Sequence, residues 1–172
     1  MSELTAEDHL RRALELLGWA DDPETQQTPE RVASMLRELS AGEEPVLSTF
    51  AVTSPGPVVL RDMPFYALCA HHLLPFFGKA TVAYWPGQRV GGFSGIARLL
   101  QHHCQGPQLQ ERIAHQLKQS LIDQLQPRGV IVRLSARQLC MEMRGARCSA
   151  DITVEAAWGG LGDDLQRALG PV

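Results

Sequence analysis

The sequence predicts an α+β fold built on an antiparallel sheet, and three observations support this prediction. The predicted elements follow the order two helices, several strands, two helices and two strands, without the regular alternation that is typical of parallel sheets. The length of 172 residues is that of a single domain. A hydrophobic share of 44% with 20% charged residues is typical of a globular protein.

Two short helices are predicted at the start of the chain. Thr5 is a typical N-cap residue, and it is followed by acidic residues and then by leucines at helical spacing. Thr28-Pro29 predicts the start of a second helix, with threonine as N-cap and proline in the first helical position. We expect residues 1–42 to form an N-terminal helical region and residues 43–172 to form the main body, within one domain overall.

The middle of the chain gives strand signals first and helix signals after them. Residues 47–53, 58–61 and 79–85 are predicted strands because they are rich in β-branched and apolar residues and are bounded by proline and glycine. A helix is predicted near Ser94, and a longer one over residues 109–125, where leucine or isoleucine recurs at steps of four.

The last third of the chain is predicted to hold two strands, 130–139 and 150–158. The even-numbered side chains of the first strand share one apolar face, because successive side chains of a strand point to opposite faces. We expect that face to end with Gln138 and Cys140.

Charge and hydropathy exclude several classes of partner. The net charge of −3 provides no positive field for nucleic acid or anionic membrane surfaces. No apolar run approaches the roughly 20 residues of a membrane span, and the N-terminus is acidic where a signal peptide would be basic. We therefore expect a cytoplasmic protein without a nucleic-acid or membrane partner.

The cysteines and histidines predict a metal site. In a reducing compartment, cysteines are typically metal ligands or buried thiols, although two disulfides remain an alternative. Cys69 and His72 form a Cys-x-x-His pair, and Cys140 supplies a third ligand that leaves one position open, which is typical of catalytic zinc. The remaining cysteines are Cys104 and Cys148. We expect the helical histidines, which have no matching acidic or thiol partner in the pattern, not to be ligands: His102, His103 and His115.

Four motifs in register give the sequence a resemblance to GTP cyclohydrolase I. They are Leu68-Cys-Ala-His-His72, Phe93-Ser-Gly-Ile-Ala-Arg98, Pro107-Gln-Leu-Gln-Glu-Arg112 and Leu139-Cys-Met-Glu-Met-Arg-Gly145. The resemblance extends from residue 28 to about residue 160, in the same order and at matching spacing. Several separate motifs in order are a specific match, unlike a single Cys-x-x-His pair.

The resemblance implies a tunnelling fold, in which two helices pack on one face of an antiparallel sheet and subunits join side by side into a β-barrel ring. It also implies a homodecamer with active sites at subunit junctions. Enzymes of this family hydrolyse the imidazole ring of GTP at C8, release formate and rearrange the ribose to give dihydroneopterin triphosphate. Zinc activates the water for the first step, since bound Zn²⁺ brings the pKa of water to roughly 7.

Matching positions imply roles for individual residues. Cys69, His72 and Cys140 correspond to the Zn²⁺ ligands, and His71 corresponds to the acid that protonates the purine ring. Glu111, preceded by Gln110, corresponds to the carboxylate that anchors the guanine edge, where it can accept from both the ring N–H and the exocyclic amine. Phosphate and ribose contacts are implied for Ser94, Arg98, Arg144 and Arg31.

Four positions depart from the family pattern. Ala70 replaces a glutamate, and Gln138 stands at a catalytic position where the family has a histidine. Two lysines are replaced by Gly95 and Ser34. Glutamine can donate and accept hydrogen bonds but cannot carry a proton near neutral pH.

The departures leave three hypotheses open, and the first of them has two outcomes. We expect C8 hydrolysis to be kept, while the reaction either proceeds to dihydroneopterin triphosphate or stops at a ring-opened pyrimidine. The substrate is GTP or a related guanine nucleotide with fewer phosphates. The alternatives are a catalytically silent ring protein that binds guanine or pterin, and a tunnelling-fold enzyme acting on another purine or pterin.

Overall fold

The computed structural model describes residues 4–40, 42–53, 56–159 and 162–170. The chain divides into two compact units, Met1–Ser40 and Ala41–Val172. The longest described helix has 16 residues. Within the described ranges, no helix combines the length and the apolar composition that crossing a membrane requires.

The first unit is a pair of helices, α1 (Ala6–Leu16) and α2 (Thr28–Glu38). Thr5 caps α1 as predicted, since its hydroxyl accepts from the backbone N–H of Asp8 and the Asp8 carboxylate accepts from the Thr5 backbone. The predicted N-cap of α2 is one residue off. Thr28 already has a helical backbone, and Gln27 takes the cap position.

The second unit contains seven strands and four helices among its described residues. In chain order these are β1 (Thr49–Ala51), β2 (Val58–Cys69), β3 (Pro75–Trp85), β4 (Arg89–Gly91), α3 (Phe93–His103), β5 (Pro107–Gln108), α4 (Gln110–Leu125), β6 (Gly129–Gln138), α5 (Leu139–Glu142), β7 (Asp151–Gly159) and α6 (Gly162–Leu169).

The main sheet has the strand order β5-β2-β3-β6-β7. Every pairing in it is antiparallel except the two-residue parallel contact between β5 and β2. Strands β1 and β4 form a separate antiparallel pair. The predicted α+β class with an antiparallel sheet is therefore confirmed.

Helices α3 and α4 pack on one face of this sheet, as predicted. Their apolar side chains form one core with the inward-facing residues of β2, β3 and β6. The even-numbered positions of β6 contribute Val130, Val132, Leu134 and Ala136, each at most 1% exposed. This core holds the ends of β2 and β6 at fixed positions relative to the start of α4.

Helix α6 covers part of the opposite face and has no counterpart in the sequence-based prediction. Its Leu165 and Leu169 are buried against Ala83 and Ile131. Alternating residues of β3 and β6 therefore serve two different apolar layers, one on each face of the sheet.

Two predicted strand boundaries change in the structure. Strand β2 continues to Cys69 instead of ending at residue 61, with a register shift between Leu60 and Met63 where Asp62 has a positive φ of 55°. Strand β6 ends at Gln138, so Cys140 lies in the short helix α5 and not at the end of the strand.

Candidate metal and catalytic site

A tight turn between β2 and β3 brings a thiol and two imidazoles together. The Cys69 N–H donates to the Leu74 carbonyl at 2.8 Å, and the Leu73 N–H donates to the Cys69 carbonyl at 2.8 Å. Leu73 adopts a left-handed conformation, with φ 54°, to close the turn. The Ala70 N–H donates to the Gln108 carbonyl at 2.9 Å, which fixes the turn to β5.

The three potential ligands of the turn differ in exposure. Cys69 is 5% exposed and belongs to the core, whereas His71 and His72 are exposed. The Cys69 Sγ atom lies 3.7 Å from His71 Nδ1 and 4.0 Å from His72 Nδ1. The buried thiol therefore has both imidazoles within contact distance on its solvent side.

Helix α5 brings a second thiol to the same place. The ligand atoms of Cys69, His72 and Cys140, which we call the thiol–imidazole cluster, all lie within 4.8 Å of one another. Burial, together with the adjacent Cys69 thiol, raises the pKa of Cys140. Two thiols and one imidazole at this separation are a donor set that suits Zn²⁺.

A chain of glutamine amides lies beside the thiol–imidazole cluster. The Gln138 side chain donates to Gln110 Oε1 at 2.8 Å, and the Cys140 Sγ lies 4.0 Å from Gln138 Oε1. Gln110 is 3% exposed, and its amide nitrogen donates to the carbonyls of Leu134 and Ile152. Gln110 thereby orients the Gln138 amide so that its oxygen faces Cys140.

Helix α5 also places an arginine at the cluster. Arg144 Nη1 lies 2.7 Å from His72 Nε2, and because a guanidinium has no acceptor, the arginine is the donor. Glu142 of α5 accepts from Arg137 of β6, and this contact lowers the pKa of Glu142. A residue with an implied phosphate-binding role thus adjoins a candidate metal ligand.

The remaining predicted site residues stand apart in this chain. Glu111 is exposed in the first turn of α4, and Ser94 and Arg98 are exposed on α3. Within the described residues, these three side chains make no hydrogen bond or ion pair with the cluster. Arg31 belongs to the first unit, where it donates to Gln27 at 2.9 Å.

Gly95 of α3, which stands where the family pattern has a lysine, is packed against Leu47. A Cβ at Gly95 would lie 2.7 Å from Leu47 Cδ2, so Leu47 occupies the space of a side chain there. The Leu47 backbone N–H donates to Gln124 Oε1 at 2.8 Å. Residue 95 is therefore buried, whereas Ala70 and Ser34 are exposed.

All four cysteines are free thiols, so the disulfide alternative finds no support in the structure. Cys104 is buried at the end of α3, and burial raises its pKa to about 12, as expected for an inert core thiol. Cys148 is exposed, and its Sγ lies 3.9 Å from the carbonyl oxygen of Ser149.

A second group of potential ligands was not found from the sequence. The expectation that His102 and His103 lack an acidic partner is wrong, because Glu44 places its carboxylate within 4.8 Å of both imidazoles. Glu44 lies before β1 and the histidines end α3, so no local spacing could have revealed the group.

Comparison with known proteins finds relatives that share the name GTP cyclohydrolase 1. The family model described as GTP cyclohydrolase I matches residues 6–168. GTP cyclohydrolase 1 of Streptococcus suis (strain 05ZYH33) is 43% identical over 157 residues, covering 86% of this chain and 83% of the relative. GTP cyclohydrolase 1 of Brevibacillus brevis is 42% identical over 161 residues, covering 88% and 85%.

One solved structure extends the similarity of fold. The archaeosine synthase QueF-Like in its apo form matches with a TM-score of 0.51 at 20% sequence identity. The match covers 63% of this chain and 98% of that one. At this level of identity the likeness concerns the fold alone.

Proposed function

The chain belongs to the GTP cyclohydrolase I family, and on this premise we propose that it hydrolyses the imidazole ring of GTP at C8 and releases formate. The observation that carries the proposal is the convergence of Cys69, His72 and Cys140, whose ligand atoms lie within 4.8 Å of one another. A buried strand end, a tight turn and a short helix hold the three residues in place.

We propose Zn²⁺ as the ion of this site. The donor set of two cysteines and one histidine leaves a position open for water or substrate. Bound there, Zn²⁺ would act as a Lewis acid and lower the pKa of water to roughly 7, which supplies a nucleophile at neutral pH.

His71 is the proposed acid. It is exposed beside the thiol–imidazole cluster, with its Nδ1 3.7 Å from Cys69 Sγ, so substrate can reach it. Protonation of the imidazole ring nitrogen by His71 makes C8 more electrophilic. Two C–N bonds to C8 then break, and one water is consumed at each, which converts C8 to formate.

Substrate binding divides between the guanine and the phosphates. Glu111 is exposed at the start of α4, and its two oxygens suit the ring N–H and amine of guanine, a pair of donors that adenine lacks. Arg144 lies beside His72, and Arg98 is exposed on α3. Fork-shaped guanidinium groups suit phosphate oxygens. Arg31 is the further proposed phosphate contact.

The steps after formate release are proposed to be slow. Gln138 lies where a proton carrier would be needed, and its amide nitrogen is held by Gln110 at 2.8 Å. An amide has no proton to transfer near neutral pH. A ring-opened pyrimidine should therefore accumulate ahead of dihydroneopterin triphosphate.

We further propose a cytoplasmic homodecamer with its sites at subunit junctions. Strand β7 is an edge of the described sheet, and its Trp158 is 46% exposed. Exposed strand edges with apolar side chains favour pairing with another chain. Such pairing would bring residues of one subunit to the cluster of another.

Formate and pterin measurements test the proposed activity. Zinc-loaded protein is incubated with GTP, GMP and guanosine, while formate is assayed chemically and pterin by fluorescence. Formate from GTP with little pterin fluorescence is the expected result. Cys140→Ala should abolish formate release, whereas the matched control Cys148→Ala, which alters an exposed thiol outside the cluster, should retain it.

Two results would contradict the proposal. Absence of both formate and a ring-opened pyrimidine, detected by mass spectrometry, with all three guanine compounds would exclude a cyclohydrolase, and calorimetric binding without turnover would then favour a silent ring protein. Full activity in Cys140→Ala would show that the proposed zinc ligands are not required.

A further inference from the structure

A second ligand cluster lies outside the proposed catalytic site. Glu44, His102 and His103, which we call the Glu–His cluster, place one ligand atom each within 4.8 Å of one another. Glu44 Oε2 lies 4.0 Å from His103 Nε2, and the two imidazole rings meet edge to face with centroids 5.2 Å apart. The Glu–His cluster shares no residue with the thiol–imidazole cluster.

His103 is held rigidly in the core. It is 7% exposed, and its Nε2 lies 2.9 Å from the hydroxyl of Ser120, which is also buried. Burial restricts rotation of the ring, so His103 loses little freedom on binding an ion. An ion bound at Nε2 would replace the Ser120 contact.

Glu44 is oriented by Gln124, which is not itself a member of the Glu–His cluster. Gln124 donates to Glu44 Oε1 at 3.1 Å, which leaves Oε2 on the side of His103. The same glutamine contacts the backbone of Pro45 and Leu47, so it fixes the segment around Glu44 on α4. Metal ligands are typically oriented by a second residue that hydrogen-bonds to the ligand without binding the ion itself.

The electrostatic setting favours a cation. His102 and His103 end α3, and the last turn of a helix carries partial negative charge on its free carbonyl groups. Glu44 adds a full negative charge. Within the described residues, no lysine or arginine pairs with Glu44, so its carboxylate has no cationic partner there.

We propose that Glu44, His102 and His103 form a second metal site, which takes a divalent first-row ion such as Zn²⁺. Two imidazoles and one carboxylate are a donor set that suits Zn²⁺ and its first-row neighbours. The site neutralises the Glu44 carboxylate and ties the segment before β1 to the end of α3.

Cobalt titration tests this site separately from the first. The full-length chain, stripped of metal by a chelator, is titrated with Co²⁺ and followed by absorbance. Cobalt bound to thiolates shows strong charge-transfer absorption, which a site of imidazoles and a carboxylate lacks. The wild type should bind two equivalents, only one of them with the thiolate band.

The variants should separate the two equivalents. Cys140→Ala should lose the thiolate band and keep the other equivalent. Glu44→Gln and His102→Gln, which change side chains that are not buried, should keep the thiolate band and bind the other equivalent at least about 100-fold more weakly. His115→Gln, a change at an exposed histidine of α4, is the matched control and should bind both.

Two results would overturn the second site. One is a wild type that binds a single equivalent, all of it with the thiolate band. The other is Glu44→Gln and His102→Gln protein that binds as much Co²⁺, as tightly, as the His115→Gln control, since the three polar groups would then be a structural network only.

Discussion

Exposure separates the thiol and the two imidazoles of the β2–β3 turn into two kinds. Cys69 is fixed in the core at the end of β2, whereas His71 and His72 face solvent from the turn that follows. A fixed thiol can hold an ion at one position, and an exposed imidazole can meet a substrate. Adjacent residues of one turn are therefore suited to different tasks.

Gln138 is proposed to limit how far the reaction proceeds. Replacing Gln138 with histidine restores a group that carries a proton near neutral pH, at a position whose neighbour Gln110 can still accept a hydrogen bond. We expect Gln138→His to raise the ratio of pterin to formate by roughly tenfold or more, within the range typical of one acid–base group. Pterin fluorescence and formate assays on the same sample measure the ratio.

The control for Gln138→His is Gln138→Asn, which keeps an amide without a proton to transfer. An unchanged ratio in the histidine variant would mean that another missing group, such as the glutamate replaced by Ala70, limits the later steps. Gly95→Lys would require the Leu47 side chain to move, because a Cβ at residue 95 would lie 2.7 Å from Leu47 Cδ2.

Glu111 is predicted to select guanine. Glu111→Gln replaces an oxygen that accepts from a guanine N–H with a donor, so kcat/KM for GTP should fall roughly 10- to 100-fold, as expected for a lost charged hydrogen bond of about 1.5–3 kcal/mol. Steady-state formate release measures the change. Asp123→Asn, at an exposed carboxylate on the same helix, is the matched control. An equal kcat/KM for GTP in the two variants would mean that Glu111 does not bind the guanine.

At the scale of elements, the cluster depends on the pairing of β3 with β6. Phe76 of β3 lies opposite Gln138, so the same ladder that holds the sheet also sets the distance between the β2–β3 turn and α5. Gly78 lies opposite Ala136 in this ladder, and a Cβ there would lie 1.9 Å from the Ser135 carbonyl oxygen. The two strands approach too closely for any side chain at residue 78.

Gly78→Ala should lower the free energy of unfolding by about 1–3 kcal/mol, because the Cβ meets backbone atoms that cannot move aside. Denaturant unfolding measures the change. Gly42→Ala is the matched control, since nothing lies within 4 Å of its Cβ. A Gly78→Ala protein as stable as the control would mean that β3 and β6 separate at no cost.

The sequence predicts the elements whose signals are local and misses those that depend on distant packing. The capping motif of α1, the four-residue spacing in α4 and the alternation in β6 are local, and they agree with the structure. Among the side chains of α6 that the structure describes, only Leu165 and Leu169 are buried, and two apolar positions are too few to predict a helix. Strand β2 continues through Pro64 because most of its length has a neighbour on one side only.

The distinction between local signals and distant packing applies to the candidate site as well. Cys69 and His72 are close in sequence, and the motif register supplied Cys140, so the thiol–imidazole cluster could be predicted. The contact of Gln138 with Gln110 joins a strand end to a helix start, and the Glu–His cluster joins a loop to a helix end. Neither has a sequence spacing that indicates proximity, because the sheet and core alone bring the residues together.

At the scale of the whole molecule, the proposed sites need residues from more than one subunit. Co-expression of Cys140→Ala and Arg98→Ala chains tests this, because each variant alone should be strongly impaired. If Arg98 acts at a neighbour's cluster, random mixing restores both residues at about a quarter of the junctions. Formate release by the mixed ring should therefore approach a quarter of the wild-type rate.

Light scattering of the same sample should give about ten times the 18.9 kDa chain mass for the proposed decamer. Mixed rings with no more activity than the separate variants would mean that each site is built from a single subunit. A monomeric mass would contradict the ring.

The fate of C8 of the purine tests the proposed reaction most directly. Zinc-loaded protein is given GTP labelled with ¹³C at C8, and the reaction is followed by ¹³C NMR. The label should leave the purine signal and appear in formate with wild type and Cys148→Ala but not with Cys140→Ala. Label that stays in the purine ring in the wild type would contradict the proposed reaction.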